Sequence, residues 1–227
     1  ENPVRDLDRI VLPPVSITVH DREKIEKRWP AAIDFIKSRK LNEWFGPDAG
    51  DVGIILQGGM YNSVMRALQL LGLADAYGNT AIPLYVLNVT YPLIDDEVSA
   101  FCAGKRAVLM VEEGHPDYLE QAVNSILRRR DINTRLAGKG VLPIRGDYTA
   151  AVLMNGIQAF LEEHAVALLG NRPPLPSADA VLADPKVKAL NAVVPARPAG
   201  FCTGCPERPI FSAMKLVERE LGPHHVS

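Results

Sequence analysis

Residues 51–72, which read DVGIILQGGMYNSVMRALQLLG, decide the fold that we predict for this chain. Residues 52–56 are uncharged and aliphatic, which is typical of a strand buried on both faces of a parallel sheet. Gly58 and Gly59 then end the run, and apolar residues recur at helical spacing over residues 61–71. The stretch therefore predicts a strand, a tight turn and a helix.

The turn of this unit supplies candidate cofactor-binding residues, namely Gly58, Gly59 and Asn62. Backbone N–H groups at a helix N-terminus attract phosphate, and glycines let a ligand come close. However, QGGMYN matches neither G-x-G-x-x-G nor a P-loop with its Lys-Ser/Thr pair. The alternative is that the glycines let strand and helix pack closely.

The same alternation of strand and helix continues along the chain. A helical pattern precedes the first strand from about Asp21, and we expect Pro30 to kink or restart it. Strands are predicted at 82–90, 106–112 and 133–137, and helices at 95–103, after Pro116 and from Tyr148. This order predicts an α/β fold with a parallel, doubly wound, Rossmann-like sheet, whose strand ends at 57–62, 90–93 and 112–116 would present ligands or partners.

The composition divides the chain into four predicted segments. Residues 1–49 form an N-terminal arm and helix, and residues 50–169 form the α/β domain. Residues 170–199 contain six prolines and are predicted to be a linker. Residues 200–227, with a helix at 206–221, resemble the truncated start of a further domain, so we expect the chain to be a fragment of a longer protein.

The bulk composition excludes several classes of partner. With 25 basic and 27 acidic residues among 227, the net charge of −2 gives no reason to expect nucleic acid binding. The cluster at 128–130, three arginines, ends a predicted helix, where cations complement the helix dipole. No apolar run spans a bilayer and no signal peptide is recognisable, so we expect a cytoplasmic protein without a membrane partner.

Acidic residues and a histidine follow the strand predicted at 106–112. Glu112, Glu113 and His115 are acid–base candidates because they stand at a strand end, and Glu113 and His115 are also candidate cofactor ligands. The alternative is that Glu113 and Asp117 cap the next helix and that His115 is a turn residue.

The cysteines offer the sharpest local motif. Cys202 and Cys205 form a C-x-x-C pair, which occurs in zinc sites, iron–sulfur clusters and redox dithiols, but two sulfurs complete no metal site. Cys102 falls within a predicted amphipathic helix and is expected to be a core thiol. Asp147 and Asn171 imitate the G-D-G…N spacing of a magnesium–diphosphate site, but Tyr148 replaces the glycine at the third position of the motif, so Asp147 is interpreted as a helix N-cap.

Five segments together resemble the thiamine-diphosphate-dependent 2-oxoacid:ferredoxin oxidoreductases, and among them the indolepyruvate type in its long, fused bacterial form. Their order and spacing agree over about residues 50–215. The segments are DVGIILQGGMYNSVMRAL, LYVLNVTYPL, VLMVEEGHPDYLEQAV, GKGVLP and RPAGFCTGCPER.

This resemblance implies a fold, a reaction and a set of partners. The α/β domain would be similar to the transketolase C-terminal domain and would serve in packing and homodimerisation. The complete enzyme would decarboxylate aryl 2-oxoacids oxidatively with thiamine diphosphate and Mg²⁺, passing electrons through [4Fe–4S] clusters to ferredoxin and the acyl group to coenzyme A. Residues 200–227 would be the truncated start of the thiamine diphosphate-binding domain, in which Cys202 and Cys205 would supply half of one cluster site.

Several of the family's motifs are missing from this chain, namely a second cysteine pair, the G-D-G…N motif and the glutamate that activates thiamine. No catalytic residue is therefore assigned, and we expect the isolated chain to bind no cofactor stably and to be inactive. Two alternatives remain: a free-standing α/β module that binds or docks a small acid near Gly58 and His115, and a zinc-binding C-x-x-C module.

Overall fold

The computed structural model describes residues 13–14, 16–170, 178–194, 200, 205 and 207–222. It divides into two units, Glu1–Ser177 and Ala178–Ser227. Among the described residues, the first unit contains short π-helical segments at Ser16–Asp21 and Lys24–Arg28, 3₁₀ turns at Gly58–Met60 and Val166–Leu169, and the regular elements α1 (Trp29–Ser38), β1 (Glu43–Phe45), β2 (Val52–Gln57), α2 (Tyr61–Leu70), β3 (Leu84–Leu87), α3 (Asp95–Cys102), β4 (Ala107–Val111), α4 (Tyr118–Arg129), β5 (Arg135–Ala137) and α5 (Ala150–His164).

The strands form one sheet in the order β1-β3-β2-β4-β5. β2 lies at the centre and pairs in parallel with both neighbours, so that Ile54 is opposite Leu84 on one side and Leu109 on the other. β5 also pairs in parallel, whereas β1 runs antiparallel to β3 at the edge. The predicted α/β fold with a parallel, doubly wound sheet is therefore confirmed, with one addition: the edge strand β1, which was not predicted, is antiparallel.

Helices cover both faces of the sheet, as expected for a doubly wound arrangement. Ile54 and Leu56 point towards α2 and α5, whereas Ile55 between them points towards α3 and α4. β3 and β4 show the same alternation, because successive side chains of a strand lie on opposite faces. The strands are thus buried on both sides, which explains their uncharged sequences.

Some predicted boundaries differ from the observed ones. The helical pattern expected from Asp21 becomes a regular α-helix only at Trp29, with Pro30 in its first turn, where proline is tolerated. The helix expected from Tyr148 begins at Ala150, and its N-cap is Thr149, whose hydroxyl accepts a hydrogen bond from the Val152 N–H at 3.4 Å. The assignment of Asp147 as that N-cap was therefore wrong.

The second unit consists of helices in its described part: α6 (Ala178–Ala183), α7 (Pro185–Val193) and α8 (Arg208–Leu221). Two of them, α6 and α7, lie within the segment predicted to be a proline-rich linker. Pro185 is compatible with α7 because it stands at the start of the helix, where proline is tolerated. The Asp184 carboxylate caps α7 by accepting a hydrogen bond from the Lys186 N–H at 2.7 Å. α8 agrees with the helix predicted at 206–221.

Across the described parts of both units, none of the helices combines the length and apolar character that a bilayer crossing requires.

Candidate functional site

The carboxyl ends of β2, β3 and β4 lie at one edge of the sheet, because parallel strands end together. A hydrogen bond joins two of these ends directly: the Glu113 N–H donates to the Gln57 side-chain oxygen at 2.9 Å. The segments singled out in the sequence therefore meet at this edge.

The Glu112 carboxylate caps α4. The residue is 5% exposed, and its side-chain oxygens accept hydrogen bonds from the Leu119 N–H, at 2.9 and 3.1 Å, and from the Glu120 N–H, at 3.1 Å. A carboxylate in this place compensates N–H groups that have no partner within the helix. Asp117 occupies the N-cap position but makes no capping bond, so the expectation that Glu113 and Asp117 cap this helix was wrong.

Glu113 instead holds the loop that leads into α5. Its carboxylate accepts a hydrogen bond from the Tyr148 N–H at 2.6 Å. The Tyr148 ring is buried, and its hydroxyl donates to the Pro143 carbonyl at 2.6 Å. Tyr148 stands where a magnesium–diphosphate motif has its second glycine, so the residues at this position do not fit that group. Asn171 lies outside the described residues.

Lys139, in the GKGVLP segment, ties the two loops together. Its ammonium donates to the Glu112 carbonyl, to the Gly114 carbonyl at 2.6 Å and to the Tyr148 hydroxyl at 2.9 Å. Its backbone N–H donates to the Glu120 carboxylate at 2.9 Å. The loop after β4, the start of α4 and the loop before α5 therefore form one hydrogen-bonded assembly.

The two glycines of the turn after β2 differ in their surroundings. A Cβ atom at Gly58 would overlap the Asn88 side-chain oxygen, whereas one at Gly59 would meet nothing within 4 Å. Asn88 is itself held by hydrogen bonds from its amide to the Leu41 carbonyl, at 2.9 Å, and to the Glu43 carboxylate, at 2.8 Å. Close approach of the Asn88 side chain thus explains Gly58. Asn62 is exposed.

The remaining predicted site residues are His115, Cys202 and Cys205. His115 is exposed on the loop after β4. Cys205 is a half-buried free thiol in the second unit, and Cys202 lies outside the described residues. In the portion of the chain that the structure describes, no group of three or more acidic, histidine or cysteine side chains is arranged to hold a metal ion.

Cys102 is a core thiol, as expected. It is fully buried in α3, and this burial raises the pKa of the thiol from 9.0 to about 12. A thiol with a raised pKa is a poor nucleophile and a poor metal ligand at neutral pH. The role of Cys102 is therefore to pack in the core beneath α3.

A buried polar network beside the edge strand was not predicted. The Tyr85 hydroxyl donates to the Glu97 carboxylate at 2.7 Å and accepts from the Asn42 amide at 3.2 Å. Burial, together with the hydrogen bond to Glu97, raises the pKa of Tyr85. No local sequence signal indicates this network, because Asn42, Tyr85 and Glu97 are far apart in the chain.

A cleft of about 660 Å³ opens at the carboxyl edge of the sheet, between α3 and α4. Gln57 and Glu112 line its inner end, but neither Gly58 nor His115 does. Its outer walls carry residues that the sequence did not single out as site residues. These are Trp29, Asp95, Tyr118 and Arg129.

Comparison with known proteins places the chain beside one group of enzymes. No protein-family profile matches it. It is 27% identical over 219 residues, 96% of its length, to indolepyruvate oxidoreductase subunit IorA of Methanothermobacter thermautotrophicus, of which it covers 31%. The same subunit of Methanothermobacter marburgensis is 28% identical over 204 residues, which cover 88% of this chain and 28% of the relative. That of Pyrococcus abyssi is 29% identical over 170 residues, which cover 75% of this chain and 24% of the relative.

Among solved structures, a chain of 2-oxoglutarate:ferredoxin oxidoreductase from Magnetococcus marinus superposes with a TM-score of 0.43 at 21% identity. The match covers 64% of the present chain and 23% of that chain.

The present chain spans less than a third of the length of these three curated relatives. The matched part nevertheless includes the carboxyl-edge segments described above, since the alignment with the first relative extends over almost the whole chain. The chain is therefore similar, over most of its length, to one segment of the indolepyruvate oxidoreductase subunit IorA, which confirms the resemblance that its motifs indicate.

Proposed function

We propose that this chain is part of an indolepyruvate-type 2-oxoacid:ferredoxin oxidoreductase and that its α/β domain has an architectural role there. The observation that carries the proposal is the similarity to IorA subunits over 96% of the chain. The whole enzyme would decarboxylate an aryl 2-oxoacid oxidatively, and its cytoplasmic location and homodimeric state belong to the same proposal.

The contacts at the carboxyl edge support an architectural role. Glu112 caps α4, Glu113 binds the loop before α5, and Lys139 links both loops. These polar groups thus bind other parts of the domain, mostly backbone N–H and carbonyl groups. A rigid edge of this kind suits a domain that packs against other parts of a larger enzyme, which we take to be the domains outside this chain.

Thiamine diphosphate with Mg²⁺, coenzyme A and [4Fe–4S] clusters would belong to the complete enzyme, in which thiamine diphosphate supplies carbanion stabilisation and the clusters carry single electrons to ferredoxin. In this chain we assign to that equipment only Cys202 and Cys205. Their two thiolates are chemically suited to an iron–sulfur cluster but provide half of the four ligands that one requires.

The test is made on the complete natural protein, purified without oxygen. We expect Cys202→Ser to lose about four irons per chain, the content of one [4Fe–4S] cluster, together with most of the arylpyruvate-dependent dye reduction. Thr203→Ala, between the two cysteines, is the matched control and should keep both iron and rate. Unchanged iron in Cys202→Ser would remove the ligand assignment, and a wild-type protein without arylpyruvate-dependent reduction would overturn the proposed activity.

A free-standing small-acid module remains the second candidate function, because the chain does contain a cleft at the strand ends. The cleft is not centred on Gly58 and His115, where this alternative placed the acid. If Gly58→Val abolished binding of a small acid without unfolding the domain, the alternative would gain support at its original position.

A further inference from the structure

The cleft between α3 and α4 carries one acidic and one basic side chain at its outer end. Asp95 is the first residue of α3 and Arg129 the last residue of α4, and their carboxylate and guanidinium groups lie 3.5 Å apart. Their side chains are 45% and 65% exposed, respectively. A guanidinium has five N–H donors and a carboxylate two oxygens, so this single contact leaves donors and acceptors for a ligand.

Aromatic rings form much of the rest of the cleft wall. The rings of Trp29 and Tyr91 meet edge to face, with centroids 5.3 Å apart and an interplanar angle of 72°. Tyr91 is 78% exposed and Tyr118, which also lines the cleft, is 70% exposed. Exposed aromatic rings gathered around a concave surface are typical of sites where another apolar or aromatic group is buried.

We propose that this cleft binds a free aromatic α-amino acid. The ring would lie among Trp29, Tyr91 and Tyr118, the carboxylate would be bound by Arg129, and the ammonium group would be bound by Asp95. A zwitterion suits the site because it brings one charge of each sign to a pair of opposite charges, so that no net charge is added. The volume of about 660 Å³ lies within the range of small-molecule sites.

The chain itself contains a matched control for this pair. Asp96, the second residue of α3, and Arg130, which directly follows α4, form a neighbouring ion pair of 2.8 Å. Neither of them lines the cleft. If the first pair only clamps the helices together, then neutralising either pair should have similar consequences.

The test is isothermal titration calorimetry of the full-length protein with L-phenylalanine. Two analogues, 3-phenylpropionate and 2-phenylethylamine, each lack one of the charged groups, and their titration does not depend on any variant folding. We expect saturable binding of L-phenylalanine, and binding at least about tenfold weaker for each analogue, a factor that corresponds to about 1.4 kcal/mol.

In the variants, Asp95→Asn and Arg129→Gln should each weaken L-phenylalanine binding by at least about tenfold, whereas Asp96→Asn and Arg130→Gln should leave it within about twofold. The absence of saturable binding, equal affinity for 3-phenylpropionate, or equal losses from both ion pairs would each overturn the proposal. None of these outcomes bears on Cys202 or on arylpyruvate oxidation, so the proposed function is tested separately.

Discussion

At the scale of single residues, the turn after β2 shows why two adjacent glycines are not equivalent. A Cβ atom at Gly58 would overlap Asn88, which two hydrogen bonds hold in place, whereas Gly59 faces open space. We expect Gly58→Ala to lower the free energy of unfolding by about 1–3 kcal/mol, the usual cost of overpacking. Gly59→Ala is the matched control and should change it by less than about 1 kcal/mol. Urea unfolding of both variants measures the difference, and equal effects would contradict it.

Glu112 gives the second prediction at this scale. Its buried carboxylate accepts hydrogen bonds from two N–H groups of α4, whereas Asp117 at the N-cap position makes no capping bond. We expect Glu112→Ala to cost about 2 kcal/mol, because a charged acceptor is lost and buried donors remain. Asp117→Ala should cost less than about 0.5 kcal/mol, because its half-buried carboxylate accepts a hydrogen bond from the Gln121 side chain one turn further along the same helix, and such pairs contribute little. Unfolding free energies at neutral pH compare them, and a larger loss in Asp117→Ala would reverse the assignment of the cap.

At the scale of elements, Lys139 connects the loop after β4 with the loop before α5. We expect Lys139→Met to lower the free energy of unfolding by about 2–3 kcal/mol, because its bonds to the Glu112 and Gly114 carbonyls and to the Tyr148 hydroxyl are charge-assisted. Hydrogen exchange should accelerate in both loops together. Tyr148→Phe removes only one of the three partners and should have a smaller effect, and faster exchange confined to one loop would contradict the connection.

The sequence predicts the central elements better than the edge because their signals are local. β2 and β4 are uninterrupted apolar runs, and α4 has apolar residues at regular helical spacing. β1 has three residues with mixed exposure, and its place depends on pairing with β3 some forty residues later. Residues 43–45 show no local strand pattern of their own, so β1 was not predicted.

The site was predicted only in part for the same reason. Gln57, the last residue of β2, and Glu112, which follows β4 directly, were expected at the carboxyl edge from strand order alone. The cleft also needs Trp29 from α1 and Arg129 from the far end of α4, which only the tertiary fold brings together. The capping role of Glu112 was not predicted, because Glu112 lies seven residues before Leu119, whose N–H group donates to its carboxylate.

At the scale of the whole molecule, two buried groups, the Cys102 thiol and the Tyr85 hydroxyl, make the free energy of unfolding fall as the pH becomes alkaline. Burial raises the pKa of Cys102 to about 12 and also raises that of Tyr85, so the unfolded chain loses these protons at lower pH than the folded one. Their contribution is complete below about pH 9 and declines above it, by at most about 1.4 kcal/mol per pH unit and group. Lys105, whose pKa burial lowers, acts in the opposite direction.

We therefore expect the free energy of unfolding to fall between about pH 9 and pH 11, and to fall less steeply in Cys102→Ala, which lacks the thiol. At neutral pH the variant is less stable because it leaves a cavity, so the two curves should converge as the pH rises. Urea unfolding under reducing conditions at a series of pH values measures both curves. Curves that stay parallel would show that the thiol does not contribute.

The distribution of buried residues gives the last prediction. The buried residues of the described chain extend from Ile36 to His164. In the unit that begins at Ala178, none of the residues whose exposure the structure describes is buried. A chain that ends at Ser177 should therefore unfold cooperatively, with a free energy of unfolding within about 0.5 kcal/mol of that of the complete sequence, as for changes confined to the surface.

A chain that ends at Thr149 is the control. It lacks α5, whose residues Ile157 and Phe160 are fully buried against the sheet and α2, and it should fail to fold. Urea unfolding followed by circular dichroism distinguishes the two. If the chain ending at Ser177 lost its cooperative transition, the second unit would have to contribute to the stability of the first, and the division of the chain near residue 177 would not describe how it folds.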